Sequence, residues 1–143
     1  MSSQRSIDPS WGKIRNQHGL VCRTTIRRLV ERIAVRFQPD KIILFGSYAY
    51  GQPDRWSDVD LLVVMPARNE IDQSLRIEET LDPPFSVDVI VRTPKNLKWR
   101  LEEGDWFLRQ VVGQGKVMYE KADSGVDLQS RSGSGRRQTN QGC

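Results

Sequence analysis

Long apolar runs, histidine and cysteine are scarce in this chain of 143 residues. No apolar run approaches the roughly 20 residues that a membrane-spanning helix needs, and the N-terminal stretch lacks the apolar core of a secretory signal. The sequence therefore predicts a cytoplasmic protein without a membrane segment. Cys22 and Cys143 are the only cysteines, too few for a disulfide framework. His18 is the only histidine, so a metal site built from imidazole ligands is not indicated.

Basic and acidic residues are distributed unevenly along the chain. The whole sequence carries 22 Lys and Arg against 18 Asp and Glu, a net charge of +4. Residues 1–37 contain eight basic and two acidic side chains, residues 38–120 contain ten and fourteen, and residues 121–143 contain four and two. The centre is thus acidic and the flanks are basic. The few arginines near the C-terminus lie among Ser and Gly, which is typical of a solvated tail, so we do not expect nucleic acid as a partner.

The length of the chain fits one domain with a buried core. Residues 1–19 mix polar and scattered apolar residues without a period, which indicates a flexible N-terminal arm. We assign the domain to residues 20–121. From residue 122 onward Ser, Gly, Arg and Gln dominate, which predicts a disordered tail over residues 122–143.

The stretch from Leu20 to Phe37 predicts an amphipathic helix. Its apolar residues fall on one helical stripe, which comprises Ile26, Leu29, Val30, Ile33, Ala34 and Phe37. The opposite face carries five arginines: Arg23, Arg27, Arg28, Arg32 and Arg36. These arginines form either a solvated face or a surface for an anionic ligand or an acidic partner, and the sequence leaves both interpretations open.

Further apolar segments predict a sheet. Residues 41–45 and 58–65 are typical of strands buried on both faces, and residues 85–91 alternate with period two as a third strand does. Helical stretches lie between and after these segments, and residues 116–119 are predicted to add an edge strand. The order indicates an α/β fold, in which a small mixed central sheet has helices packed against it.

Three aromatic residues, Trp99, Trp106 and Phe107, fall in the last helical region. Their apolar neighbours favour packing in the core. A surface for a partner protein is the alternative, which exposure of these rings would indicate.

Three aspartates lie on the predicted strands. Because side chains two apart on a strand point to the same side, Asp58 and Asp60 are expected to project together. Asp88 lies inside an otherwise apolar strand, where a lone carboxylate is costly to bury. If that strand neighbours the second one, the three carboxylates form a cluster. Carboxylate oxygens suit Mg²⁺ or Mn²⁺, and two such ions would neutralise the cluster and support a phosphoryl displacement.

Gly46 and Ser47 follow the first strand and point to the same chemistry. A glycine lets the backbone approach a polyphosphate closely, and the Ser47 hydroxyl and neighbouring N–H groups suit anionic oxygens. A Gly-Ser pair or an Asp-x-Asp alone is usually structural. Their combination at the ends of apolar strands, with a third aspartate downstream, is far less common.

These residues together resemble a known family. Gly46-Ser47, ten further residues, Asp58-x-Asp60 and the later Asp88 match the minimal nucleotidyltransferase domain of the DNA polymerase β superfamily. That group includes the antitoxin-type proteins paired with HEPN toxins. The resemblance covers about residues 20–120 and includes Ala49, Gly51, Ser57 and the segment 115–120.

The resemblance implies roles for individual residues. Asp58 and Asp60 would bind both Mg²⁺ ions, and Asp88 would bind one of them. Gly46 and Ser47 would contact the triphosphate of ATP.

The function implied is transfer of a nucleoside monophosphate, AMP from ATP, to a hydroxyl with release of pyrophosphate. Because the sequence shows no additional helical domain for an acceptor, we expect the hydroxyl on a HEPN-type partner protein, for which the chain would be the antitoxin. Two alternatives stay open: a non-catalytic antitoxin that neutralises its partner by contact, and a nucleotidyltransferase acting on a small molecule such as an antibiotic. A homo-oligomer and a hetero-oligomer are both compatible with these functions.

Overall fold

A computed structural model describes residues 9–122 of the chain. The first eight residues and almost all of the predicted tail, residues 123–143, lie outside this range. Within it no helix is long and apolar enough to cross a membrane.

The described chain alternates helices and strands. A short 3₁₀ helix at Pro9–Trp11 comes first. The helices are α1 (Arg23–Phe37), α2 (Ser47–Tyr50), α3 (Glu70–Leu81), α4 (Pro94–Glu102) and α5 (Trp106–Gln114), and the strands are β1 (Lys41–Phe45), β2 (Val59–Val64), β3 (Val87–Arg92) and β4 (Lys116–Glu120). The predicted helix, the three strands and the edge strand at residues 116–119 are confirmed.

The four strands form one mixed sheet in the order β3-β2-β1-β4. β1 is antiparallel to both β2 and β4, whereas β2 and β3 are parallel. A parallel pair needs a crossover connection, which α3 supplies. The predicted α/β class with a small mixed sheet is therefore confirmed. β3 lies at an edge, and the Glu78 carboxylate of α3 accepts a hydrogen bond of 2.8 Å from the Val89 N–H there.

Helices cover both faces of the sheet, because β1 and β2 are apolar on both sides. On the first face Ile42, Leu44, Leu61 and Val63 pack with residues of α1 and α3, which include Ile26, Leu29, Ile33 and Ile77. On the second face Ile43, Phe45, Leu62 and Val64 pack with residues of α4 and α5, which include Leu97, Leu101, Leu108 and Val111. The two faces thus have separate cores.

The predicted flexible arm is in part packed on the domain. Trp11 is only 3% exposed and belongs to the first-face core. Its ring meets Phe85 edge to face, with centroids 5.8 Å apart, and the Arg32 guanidinium lies 3.9 Å from the Trp11 centroid. Aromatic and cation–π contacts therefore hold Trp11 on the domain. The domain boundary at residue 20 stays a prediction.

The aromatic residues of the last helices are more exposed than expected. Trp99 is 55% exposed and Trp106 is 73% exposed, so core packing is wrong for these two rings. Phe107 is 39% exposed and meets Phe45 edge to face at 5.6 Å between centroids. The helical region divides near Gly104: α4 contains no fully buried residue, and α5 buries Leu108 and Val111.

Candidate active site

The topology brings the end of β1 and the starts of β2 and β3 together at one end of the sheet. β1 and β2 are antiparallel, so the end of β1 at Phe45 pairs with Asp60 at the start of β2. β3 is parallel to β2, so its start lies beside the start of β2. The segments that carry the predicted site residues therefore meet at one place.

Asp60 and Asp88 are direct partners in the parallel ladder. Asp60 alternates along β2 with Val59 and Leu61, which belong to the first-face core. Its side chain consequently lies on the second face, and the register brings Asp88 to the same side. Asp60 is half-buried, whereas Asp58 and Asp88 are exposed.

The electrostatics of Asp60 reflect these neighbours. The pKa of the Asp60 carboxyl is raised from its ordinary value of 3.8 to about 6, first by burial and then by the negative charges of Asp88 and Asp58. Each of the three causes disfavours the ionised form. Asp58 and Asp88 thus both lie within electrostatic range of Asp60.

Gly46 lies against the same carboxylate. Its backbone has φ 78° and ψ −163°, a region that is essentially restricted to glycine. A Cβ at this position would collide with the Asp60 carboxylate oxygen and would come within 3.1 Å of the Asp60 Cγ. The missing side chain therefore lets the end of β1 and the start of β2 approach each other.

Ser47 is linked to a second serine across the loop. Gly46 is the N-cap of α2 and makes no side-chain cap, so Ser47 is the first residue of that helix. The Ser47 hydroxyl contacts the Ser57 hydroxyl at 3.3 Å. The Ser57 hydroxyl also accepts a hydrogen bond from the Asp54 N–H at 2.9 Å and contacts the Asp54 carboxylate at 3.2 Å. The turn between α2 and β2 thus orients the side chain of Ser57, the residue before Asp58.

An aromatic wall borders the carboxylates and was missed from the sequence. Phe45 pairs with Asp60 on the strand next to it, and Phe107 of α5 packs on the Phe45 ring. The only available signal was the position of Phe45 in its strand, which puts its side chain on the same face of the sheet as that of its partner Asp60. No spacing rule connects it to Phe107, because that contact is tertiary.

The negative charge of the three aspartates suits a divalent cation. Burial is the first cause of the raised pKa of Asp60 and the negative charges of Asp88 and Asp58 add to it, so a cation beside these carboxylates would favour the ionised form. In the part of the chain described, no group of three or more acidic, histidine or cysteine side chains is arranged closely enough to hold an ion unaided. Mg²⁺ commonly binds to one or two carboxylates and completes its shell with phosphate oxygens and water. Asp58, Asp60 and Asp88 could hold it in this way.

The family model of the nucleotidyltransferase domain matches residues 26–112, which is more than half of the chain. The chain belongs to this family. The match begins in α1 and ends in α5, so the nucleotidyltransferase domain contains the Gly46 turn and all three aspartates. No curated protein matches the chain significantly.

Three solved structures are similar to this nucleotidyltransferase domain. A candidate nucleotidyltransferase from Sulfolobus solfataricus has a TM-score of 0.48 at 21% identity, over 72% of this chain and 84% of its own. A toxin–antitoxin with AMP-PNP has a TM-score of 0.44 at 24% identity, over 66% and 73%. A mutant of the toxin–antitoxin MntA–HpeT has a TM-score of 0.41 at 22% identity, over 68% and 73%. The family assignment depends on the match over residues 26–112 and not on these likenesses.

Proposed function

We propose that this nucleotidyltransferase domain transfers AMP from ATP to a hydroxyl of a partner protein and acts as the antitoxin of a HEPN-type toxin. The observation that carries the proposal is the pairing of Asp60 with Asp88 beside the side-chain-free backbone of Gly46. Carboxylates and an accessible backbone meet there, as the binding of a metal–nucleotide complex requires.

The residues of the chain have distinct roles in this proposal. The Gly46 backbone and the Ser47 hydroxyl bind the triphosphate, and Ser57 orients that hydroxyl through the contact at 3.3 Å. Asp58 and Asp60 hold Mg²⁺, with Asp88 as a further ligand. When bound, Mg²⁺ supplies charge stabilisation at the phosphate oxygens.

The acceptor oxygen attacks the α-phosphorus of ATP, and the bond from that phosphorus to the β-phosphate bridging oxygen breaks. Pyrophosphate leaves with the bonding electron pair. Asp88 is exposed beside Asp60, so we assign it the removal of the hydroxyl proton. The products are an AMP ester of the acceptor and pyrophosphate.

A protein acceptor is favoured by the surroundings of the site. Asp58 and Asp88 are exposed. The helices α4 and α5, which pack on the sheet face where Asp60 lies, carry the exposed rings of Trp99 and Trp106. Exposed aromatic surface is typical of protein contacts. The sequence resemblance to antitoxin-type proteins supports the same partner class.

The test is co-expression with the protein encoded beside this chain, followed by intact mass spectrometry of that neighbour. A gain of one or more AMP groups with the wild type, and none with Asp58→Asn or Asp60→Asn, is the expected result. Asp82→Asn is the matched control, because Asp82 is exposed outside the site and Asn tolerates its left-handed backbone at φ 39°. Unmodified neighbour in every sample would contradict the transfer.

A contact-only antitoxin predicts a different pattern. The neighbour would then stay unmodified, form a stoichiometric complex without nucleotide, and be neutralised equally well by the Asp60→Asn variant. Antibiotic resistance conferred by the chain alone would instead favour a small-molecule acceptor.

A further inference from the structure

The five arginines of α1 do not form one surface. Arg28 donates to the Trp11 carbonyl oxygen at 3.1 Å, and Arg32 donates to the Ser10 carbonyl and hydroxyl oxygens at 2.8 Å. These two side chains hold the arm on the helix. Arg23 and Arg27 instead line a cavity at the start of α1.

This cavity, which we call the basic cavity, has a volume of about 490 Å³. It lies among the start of α1, α2, β1 and β4, with Ile26, Leu44 and Met118 in its apolar wall. Those three side chains belong to or pack on the first-face core, whereas Asp60 lies on the second face. The basic cavity is therefore separate from the carboxylate site. Its volume falls within the usual range of small-molecule pockets.

Among the described residues, three cations and no carboxylate line the basic cavity. The cations are Arg23, Arg27 and Lys116. None of them takes part in an ion pair among residues 9–122. Glu31 of the same helix lines a neighbouring groove that Arg27 also borders, but no ion pair joins the two side chains among residues 9–122. Among the described residues, the basic cavity thus has an excess of positive charge.

The neutral polar groups of the cavity are also donors. The Tyr48 hydroxyl accepts the Val21 N–H at 2.9 Å, so its own proton remains for a further acceptor. The Asn16 side-chain oxygen accepts the N–H groups of His18 and Leu20, which leaves its NH₂ group. Cations and donors beside an apolar wall suit an anion that carries an organic group.

Helix energetics favour the same ligand. The first turn of α1 contains no acidic residue and its N-cap makes no side-chain capping hydrogen bond, yet Arg23 is its first residue. A positive charge at this end opposes the helix macrodipole, so it gives the isolated helix no benefit. An anion in the basic cavity would compensate for the charge of Arg23 and for the partial positive charge at the start of α1.

We propose that the basic cavity binds a small organic phosphate. Arginine forks favour phosphate oxygens over single-point acceptors. The three cations line one pocket, whereas a nucleic-acid backbone needs an extended basic stripe. The ligand would contact Tyr48 of α2, which directly follows Ser47 in the chain. This site does not depend on the proposed transferase activity.

The probe is AMP, titrated calorimetrically into the full chain without divalent cation. Arg23→Ala with Arg27→Ala, and separately Lys116→Ala, should each weaken AMP binding at least tenfold, and binding should weaken as salt rises. Arg36→Ala is the matched control, because Arg36 is an exposed arginine of the same helix that does not line the cavity. Circular dichroism of each variant verifies that α1 is retained.

Further titrations identify the site and the kind of ligand that it binds. Asp60→Asn should leave AMP affinity unchanged. Without divalent cation the Asp60 carboxylate repels a phosphate, so a rise or any other change of affinity in this variant would assign AMP to the carboxylate site and overturn the proposal. Inorganic phosphate should bind more weakly than AMP, since it leaves the apolar wall unused; equal affinity would refute an organic ligand. Absence of AMP binding, an equal effect of Arg36→Ala, or tighter competing binding of a single-stranded oligonucleotide would also overturn it.

Discussion

Gly46 is in direct contact with the carboxylate of Asp60, and a Cβ at position 46 would come within 3.1 Å of the Asp60 Cγ. The contact joins the turn after β1 to the first carboxylate of β2. Because Gly46 has no side chain, it both lets the backbone approach a ligand and leaves space for the Asp60 carboxylate. A side chain at Gly46 should therefore affect the site more than the rest of the fold.

We predict that Gly46→Ala weakens nucleotide binding, since the new Cβ would displace the Asp60 carboxylate and alanine would have to adopt a backbone conformation that is essentially restricted to glycine. Affinity for AMP-PNP with Mg²⁺ should fall at least tenfold, roughly 1.4 kcal/mol or more. Gly51→Ala is the matched control: its φ is 87°, but a Cβ at that position would meet no atom within 4 Å. That variant should lose about 1–2 kcal/mol of stability and keep its affinity. Equal affinities of the two variants would contradict the prediction.

A second prediction concerns pH. The folded pKa of Asp60 is about 6 and its ordinary value is 3.8, so between these values the folded state binds the proton more tightly. This group's contribution to the free energy of unfolding is then fully present below pH 3.8 and is lost as the pH rises through 6. Asp60→Asn should accordingly be more stable than the wild type above pH 6 without divalent cation.

The expected gain is roughly 1 kcal/mol, because solvent screens this half-buried carboxyl and reduces the full value of the shift. Urea unfolding of both proteins at a series of pH values measures it. The difference should vanish near pH 4, where Asp60 of the wild type is protonated like the neutral amide. Asp82→Asn provides the control, and a wild type more stable than Asp60→Asn at pH 7 would refute the account.

Local patterns predicted the strands and the acidic residues of the site. Residues 41–45 and 58–65 are apolar almost without interruption, so they had to be buried on both faces. Asp88 stood out because a lone carboxylate is costly to bury in an apolar strand. The structure pairs Asp88 with Asp60 in the ladder but leaves its side chain exposed, so the expected burial is wrong. These inferences depend only on neighbours in the sequence.

Long-range contacts could not be predicted in this way. Trp11 meets Phe85 across the first-face core, and no period links the two positions. Similarly, Lys116 of β4 joins Arg23 at the basic cavity only because β4 pairs with β1. Trp99 and Trp106 were expected in the core from their apolar neighbours, but both rings are exposed on the two short helices that flank Gly104.

A third prediction concerns Glu70, which joins α3 to the start of α4. Its carboxylate accepts the Thr93 N–H at 2.9 Å and the Asn96 side-chain amide at 2.9 and 3.0 Å. Glu70→Ala would leave these part-buried donors without acceptors and should cost roughly 1–3 kcal/mol in urea unfolding. Glu70→Gln, which keeps one acceptor oxygen, should cost less. The exposed Glu79→Ala is the control, and an equal cost for Glu79→Ala would contradict the prediction.

The last prediction concerns the arm. If residues 9–19 are part of the folded domain, Trp11→Ala should reduce the free energy of unfolding by about 3 kcal/mol, as for a buried aromatic side chain, since it removes the ring that meets Phe85 and Arg32. Trp11→Phe should retain much of this packing. Trp106→Ala is the matched control, because a ring that is 73% exposed should contribute less than about 0.5 kcal/mol. Denaturant unfolding measures all three variants, and a Trp11→Ala protein as stable as Trp106→Ala would mean that the arm does not contribute to the fold.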